Sequence, residues 1–439
     1  MKIGFYILSS IICVTAFGQS NSGSQPKLVK KWTLFELIDY AYKHNITAKI
    51  TEVQAKIAQV NLEQSKLSPY PSVNANTGIS QNYGKFPLGA GIFTDANNTF
   101  QNNNINISIP IFANSSIQNT IIFNQLNVKA AFEDLKKVKN DISTLIASYY
   151  LQAISANENI KIAIVQIEQT LKQLDITAKR VEAGTLPELN LLEIQSQLAN
   201  DSANLIAVKF TYTQALLALK ATLNLDLSED FEVDAPPLNQ IRMEPLADLN
   251  PEYVYRIALE NLPEQQAFKY RLMASKKNIQ INRQYFYPTI SAGIGLNTSF
   301  TYAQSNFGAA MNDPYFQQIS NNFNQGFNIN VSIPIFNNGR AKQAFKNASL
   351  NYNLLGLQSE QVNQTLHVNI YNAYINAVNA YEKYEASKKV IYTSKQTYEN
   401  ASKRFEVGLL GVFELLALQN NYLKAQIQTL TFQFDYIFK

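Results

Sequence analysis

The chain has 439 residues, of which 46% are hydrophobic and 16% charged, with a formal net charge of +4. That balance excludes a disordered polyelectrolyte, and no dense Lys/Arg cluster argues for nucleic acid. Asn, Gln and Ser supply much of the polarity instead.

The first residues, MKIGFYILSSIICVTAFGQS, carry Lys2, an apolar run from Ile3 to Phe17 and small residues at Ala16 and Gly18. They read as a signal peptide over residues 1–18, too short for a membrane span. The only cysteine, Cys13, falls inside it, and Ile12 stands where a lipoprotein would want a small residue. The chain beyond residue 18 can form no disulfide, thiol nucleophile or cysteine-ligated metal site. No later stretch reaches about eighteen consecutive apolar residues. An exported chain of this kind is periplasmic, secreted or an outer-membrane barrel.

Thr33 with Glu36 forms a capping box that opens a helix running to about Leu67, where Pro69 and Pro71 end it. Ser68 to Val73 (SPYPSV) is answered much later by Phe286 to Ile290 (FYPTI). NINISIPIFANSS, from Asn104, is answered by NINVSIPIFNNGR, from Asn328, and AKRVEAGTLPELNLLEIQ, from Ala178, by SKRFEVGLLGVFELLALQ, from Ser402. The chain is thus a tandem duplication. The first repeat spans 19–225, with a strand pair at 72–112 and a helical hairpin turning at Gly184. A linker occupies 226–249. The second repeat spans 250–439, opened by Asn250 and Pro251, with a strand pair at 288–336 and a turn at Gly408.

Four segments alternate with the period of a strand. Val73, Ala75, Thr77 and Ile79 oppose Asn74, Asn76, Gly78 and Ser80; Ile105, Ile107 and Ile109 oppose Asn104, Asn106 and Ser108. The second repeat does the same with Ile290 to Phe300 and Phe327 to Ile333. An apolar face against a small, uncharged polar face suits a water-filled barrel in lipid. Four strands cannot close one, so other copies of the chain must supply the rest. Gly84 to Thr99 and Ala303 to Ser320 are expected as outward loops. Pro110 and Pro334 mark the strand-to-helix junctions and should stop the ladder there; ANSS and NNGR suggest two corners that need not bend alike.

After each junction come nearly seventy residues almost free of Pro and Gly, Ser115 to Ala183 and Arg340 to Val407, with Gly356 the one interruption. At 1.5 Å per residue each is a helix of roughly 100 Å. Ile160, Ile164, Ile167, Leu171, Leu174, Ala178 and Val181 form an apolar heptad seam, continued past the turn by Leu191, Ile194 and Leu198 and interrupted at Asp201. Each turn glycine can adopt the left-handed conformation that closes a helix.

In order and duplication, YPSV and YPTI, the two SIPIF phrases and the two glycine turns resemble the TolC family of trimeric outer-membrane efflux channels. The resemblance implies an α+β membrane protein in which four strands per chain join a twelve-stranded barrel shared by a homotrimer. The barrel would sit in outer-membrane lipid, continuous with a coiled-coil periplasmic tunnel. It further implies a passive duct without a cofactor, docked by a periplasmic adaptor and an inner-membrane RND or ABC transporter. Adaptor contacts would fall on Ala183, Gly184, Thr185 and Leu186 and on Val407, Gly408, Leu409 and Leu410. A periplasmic gate would involve Asn190, Glu193 and Glu414. Leu410 and Ala417 stand where the best-known gates of the family carry charge, so a salt-bridged lock of that kind is not implied.

His44 and His367 are the only histidines, and no convergent catalytic or metal-binding set accompanies them. No phosphate-binding glycine loop is present, so an enzyme is not expected. The rival reading is a trimeric surface adhesin or receptor with its helices pointing outward.

Overall fold

The structure, a computed structural model, describes residues 31–89, 92–113, 115–235, 250–305 and 313–439. The expected signal peptide and residues 236–249 of the expected linker lie outside the described residues.

Strand β1 (Lys31–Trp32) leads into α1 (Leu34–His44), whose capping box is formed: Glu36 N donates to Thr33 Oγ1 at 3.4 Å and Thr33 N to Glu36 Oε2 at 3.0 Å. The single helix expected from Thr33 to about Leu67 is two helices. Asn45 is extended and caps α2 (Ile46–Leu67), its Oδ1 accepting from Ala48 N while its Nδ2 donates to Thr222 O at 2.8 Å. The cap thus fixes both a helix start and a tertiary contact. The second repeat has its own break, between α5 (Pro251–Asn261) and α6 (Pro263–Asn282), where a proline opens the later helix.

Strands β2 (Ser72–Gly89), β3 (Ile92–Phe112), β5 (Thr289–Ser305) and β6 (Asn324–Ser332) form an antiparallel sheet in the order β2-β3-β5-β6. The two repeats therefore meet through β3 and β5, with Asn104 opposite Asn297 and Ile105 opposite Leu296. Two loop expectations need correction. Residues 84–89 and 92–99 are strand, because the β2–β3 ladder runs out to Gly89 opposite Ile92. Of 303–320, the first three residues extend β5, and Tyr315–Asn321 forms helix α7. Residues 306–312 lie outside the described residues.

The long helices α3 (Ser116–Glu182) and α8 (Arg340–Glu406) have 67 residues each, so each is about 100 Å long. They fold back into α4 (Glu188–Leu223) and α9 (Val412–Phe438). Just before each start the equivalent residue takes the same conformation. Ser115 and Gly339, equivalent in the two repeats, are both left-handed (φ 62° and 77°), and each corner closes by one turn bond, Ser116 N to Ala113 O and Arg340 N to Asn337 O. Only the second copy has a glycine at that position, so Ser115 carries there the strain of a non-glycine left-handed residue, while in the second corner Asn338 (φ 53°) precedes the glycine in the same region.

Two apolar cores hold the helices together. At the waist Leu37, Ile146, Ile154, Leu219, Leu223 and Phe231 pack together, beside the parallel pairing of β1 with β4 (Glu232–Val233). Nearer the turns Ile194, Phe405, Val412 and Leu415 form the second.

The heptad seam needs a larger correction. Ile164 and Leu171 of the expected seam are exposed, and the stripe that α3 buries is Ala163, Gln166, Thr170, Gln173 and Thr177. The repeat is still a heptad, rotated by one residue onto small and polar side chains. Asp201, read as an interruption, is itself buried on α4 between Ile194 and Ala215.

Candidate channel wall and hairpin tips

The register divides the sheet into two faces along its whole inner part. Asn74, Asn76, Asn104, Asn106, Gly295, Asn297 and Asn328 lie on one, and Val73, Ala75, Ile105, Ile107, Ile294, Leu296 and Ile329 on the other. Amides on the polar face bond to one another: Asn76 Nδ2 donates to Asn104 Oδ1 at 3.0 Å, and Asn106 Nδ2 to the same oxygen at 2.8 Å. Gly293 faces Asn328, whose Oδ1 would sit 2.5 Å from an added Cβ, so the glycine leaves room for the amide to lie flat. This face offers hydrogen bonds without fixed charge, and the opposite face exposes Ile79, Phe327 and Ile329. No helix among the described residues is long and apolar enough to cross a membrane.

Beyond Asn324 the edge of β5 is covered by α7. Gln318 Oε1 accepts from Thr301 N and its Nε2 donates to Thr301 O, while Asn322 Nδ2 donates to Ser299 O. β2 and β6 remain with one unpaired side each in the chain.

The two junction prolines differ. Pro334 lies beyond the end of β6, whereas Pro110 lies within β3 opposite Ser291, and the ladder resumes at Phe112 after a register shift. In the first copy, then, the proline marks a bulge rather than a stop, as befits a residue lacking a backbone donor.

At the far end both turns close identically. Gly184 (φ 71°) and Gly408 (φ 81°) donate to Val181 O and Phe405 O, and the next residues, Thr185 and Leu409, donate to Arg180 O and Arg404 O. This is a Schellman closure, which satisfies the last carbonyls of α3 and α8. Ala183, Gly184, Thr185, Val407, Gly408 and Leu409 are exposed; Leu186 is half-buried, and Leu410 packs against the second core. Asn190 and Glu193 are half-buried and Glu414 is exposed in the first turn of α9.

Sequence reasoning missed what ties the two hairpins together. Thr170 Oγ1 donates to Asp201 Oδ2 at 2.6 Å, Gln197 Nε2 to Asp201 Oδ1 at 2.8 Å, and Gln419 Nε2 to Thr170 Oγ1 at 3.2 Å. Gln173 Nε2 donates to the Tyr398 hydroxyl at 3.1 Å, and burial pushes that phenol above its ordinary value. Closer to the tips, Arg180 Nη1 donates to Phe405 O at 2.8 Å and Nη2 to Glu406 O, capping the C-terminus of α8 from the other hairpin. The signal for the network was the carboxylate inside the seam of α4; for the clamp, an arginine shared by both turn motifs.

His367 is partly exposed on α8, its Nε2 3.2 Å from Glu252 Oε2 and its ring against Tyr255. His44 stacks on Tyr40. Among the described residues no group of His, Cys, Asp and Glu could hold a metal ion.

An amphipathic sheet with two open edges, running into paired hairpins of such length, defines a class: membrane ducts that join a barrel to a helical tunnel. The model of the outer membrane efflux protein family matches twice, at residues 41–225 and 254–437, and the chain belongs to that family. Toxin and drug export protein A of Aggregatibacter actinomycetemcomitans is 22% identical over 94% of this chain and 85% of its own length. Among solved structures, a membrane protein from Pseudomonas aeruginosa superposes with a TM-score of 0.78 at 17% identity, covering 92% of this chain and 90% of the other. The Campylobacter jejuni CmeC outer membrane channel gives 0.75 at 18%, covering 92% and 83%. This chain is accordingly an efflux protein of the outer membrane.

Proposed function

We propose that the protein works as a passive homotrimeric duct. The observation that carries this reading is one sheet with an Asn, Ser and Gly face, an apolar face and two open edges, β2 and β6. Open edges are untenable in lipid, and three copies pairing edge to edge give twelve strands, wide enough for a water channel. The isoleucine face then meets lipid and the asparagine face lines the water. Helices of about 100 Å exceed a bilayer and continue the duct into the periplasm.

The two repeats, 19–225 and 250–439, with 226–249 between them, each supply a strand pair and a hairpin. The tips, Ala183 to Leu186 and Val407 to Leu410, receive a periplasmic adaptor, and Asn190, Glu193 and Glu414 narrow the entrance just beyond them. An inner-membrane RND or ABC pump supplies the energy and the cargo. A relative named for toxin and drug export supports cargo of that range. The duct itself needs no cofactor and catalyses no reaction.

Planar-bilayer conductance of the purified full chain tests the reading. Asn104→Lys, on the polar face, should turn the pore toward anions at unchanged assembly, because the new cations line the water. Ile105→Lys, one residue along, should reduce insertion, since a lipid-facing lysine costs about 2–4 kcal/mol per chain at mid-depth. Equal effects of the two substitutions would defeat the assignment of faces.

A further inference from the structure

Arg180 and Arg404 stand at the same place in the two turn motifs, AKRVEAG and SKRFEVG. Arg180 finds its partners inside the chain: the carbonyls of Phe405 and Glu406, with the guanidinium 5.3 Å from the Phe405 ring. Arg404 is exposed, and among the described residues its guanidinium has no hydrogen bond or ion pair, only its backbone carbonyl being used, by Leu409 N. The carbonyls that answer to Phe405 and Glu406 in the first repeat are those of Val181 and Glu182. They close the first tip in the same geometry, with Gly184 N on Val181 O at 2.9 Å as Gly408 N is on Phe405 O at 2.9 Å. Each such carbonyl keeps a second lone pair.

A second asymmetry lies along the helices. Phe434 of α9 is buried against the waist core, with Leu430 packed beside it. Their equivalents on α4, Phe210 and Ile206, are 61% and 70% exposed. A face covered once inside the chain is bare once, and the bare copy carries the same side-chain types in the same places. Ile206 and Phe210 stand one turn apart on α4 and so share a face, and a contiguous apolar patch of this kind marks a surface that something covers.

We infer that the second hairpin of another copy of this chain covers this face, repeating the intrachain seam between chains. Arg404 donates to the carbonyls of the neighbouring copy's Val181 and Glu182, and the neighbouring copy's Phe210 packs as Phe434 does. The inference rests on the trimeric duct and adds its contacts: six tips in a ring, each arginine capping the next helix end. The two kinds of seam are not equal. Asp201 and Tyr398 of the intrachain seam answer to Ala425 and Leu174, so the charged part of the buried network is confined within each chain. Arg404 is then the principal directional contact between chains at the tips, and the interchain seams are where the ring parts.

The test uses full-length protein extracted from membranes, with two cysteine pairs and a short bis-maleimide. R404C/E182C should join chains into covalent dimers and trimers. R180C/E406C should link only within a chain, leaving monomers on a denaturing gel and a cross-linked peptide in the digest. Trimers whose R404C/E182C pair fails to join chains, or joins within one chain, overturn the inference; so does failure of R180C/E406C, because the template contact is then absent. A wild-type chain that is not trimeric sinks the duct reading itself, a separate result seen before any cross-linker is added. Should a double variant not assemble, Arg404→Ala decides through hydrogen exchange over 181–186. Losing a charge-assisted bond should speed exchange there about tenfold or more, and unchanged exchange refutes the clamp.

Discussion

Thr170→Val probes the buried network with the least change of shape. Thr170 is fully buried, donates to Asp201 Oδ2 at 2.6 Å and accepts from Gln419 Nε2 at 3.2 Å. Valine removes both bonds and keeps the volume. The buried carboxylate loses a donor, and a hydrogen bond to a charged group is worth about 1.5–3 kcal/mol. Gln419 Oε1 has no partner already, so its amide becomes a buried group unsatisfied at both ends, for about another 1–3 kcal/mol. The sum is about 2.5–6 kcal/mol of local stability. Asp201→Leu should cost much less. The Thr170 hydroxyl can turn to a carbonyl one helical turn back, Gln197 is half-exposed and reaches water, and a desolvated charge disappears. In the double variant the orphaned carboxylate no longer exists, so the two effects should fall short of additive by about 2 kcal/mol. Native-state hydrogen exchange over residues 166–177 in the intact assembly is the assay. A loss of about 3 kcal/mol appears there as exchange faster by about two orders of magnitude. If Thr170→Val exchanges within a few-fold of wild type, or if the double variant is strictly additive, the network does not hold the hairpins together as argued.

Other expectations attach to single residues. Ser115→Gly should stabilise the first junction by about 1 kcal/mol by relieving a left-handed non-glycine, and Gly408→Ala should cost about as much at φ 81°; thermal unfolding followed by helical signal reads both. Leu219→Ala, in the waist core with no exposed surface, should cost about 2–5 kcal/mol, and a smaller loss would mean the waist collapses around the gap. Burial raises the phenols of Tyr150, Tyr212 and Tyr398 above their ordinary 10.0. A raised folded value favours the neutral form, so their contribution is whole below the ordinary value and is lost as pH climbs through the folded ones. Tyr398→Phe should therefore flatten the alkaline fall in melting temperature, and an unchanged fall would place its cause elsewhere.

The strands were readable because their faces differ in chemistry at every step. Ile105, Ile107 and Ile109 against Asn104, Asn106 and Ser108 leave no second register, since a slip of one residue would exchange lipid-type and water-type faces. The turns were readable because only glycine takes a left-handed φ cheaply. What stayed hidden was the rotation of α3. A periodicity reading ranks residues by hydrophobicity, and along α3 the isoleucines and leucines outrank Thr170, Gln173 and Thr177. Yet the stripe buried within the chain is the polar one, where a carboxylate on α4 and an amide on α9 answer Thr170 and a phenol on α8 answers Gln173. Asn45 hid for a related reason: it reads as an ordinary helical position until Thr222 O is seen beside it.

The displaced seam and the open sheet edges express one division of labour. Buried side chains that satisfy one another as a specific set, Thr170 with Asp201 and Gln173 with Tyr398, are used where both partners belong to the same chain and are made together. Apolar side chains such as Leu171, Ile206 and Phe210 are left outside, where a less specific attraction suffices to bring a second copy. A buried polar network half-built between separate chains would cost more than an apolar contact of the same area until every partner arrived. Confining the carboxylate to the interior of one chain avoids that cost during assembly. It also leaves the interchain seams less tightly specified, so a ring of such hairpins can open without exposing an unpaired buried charge.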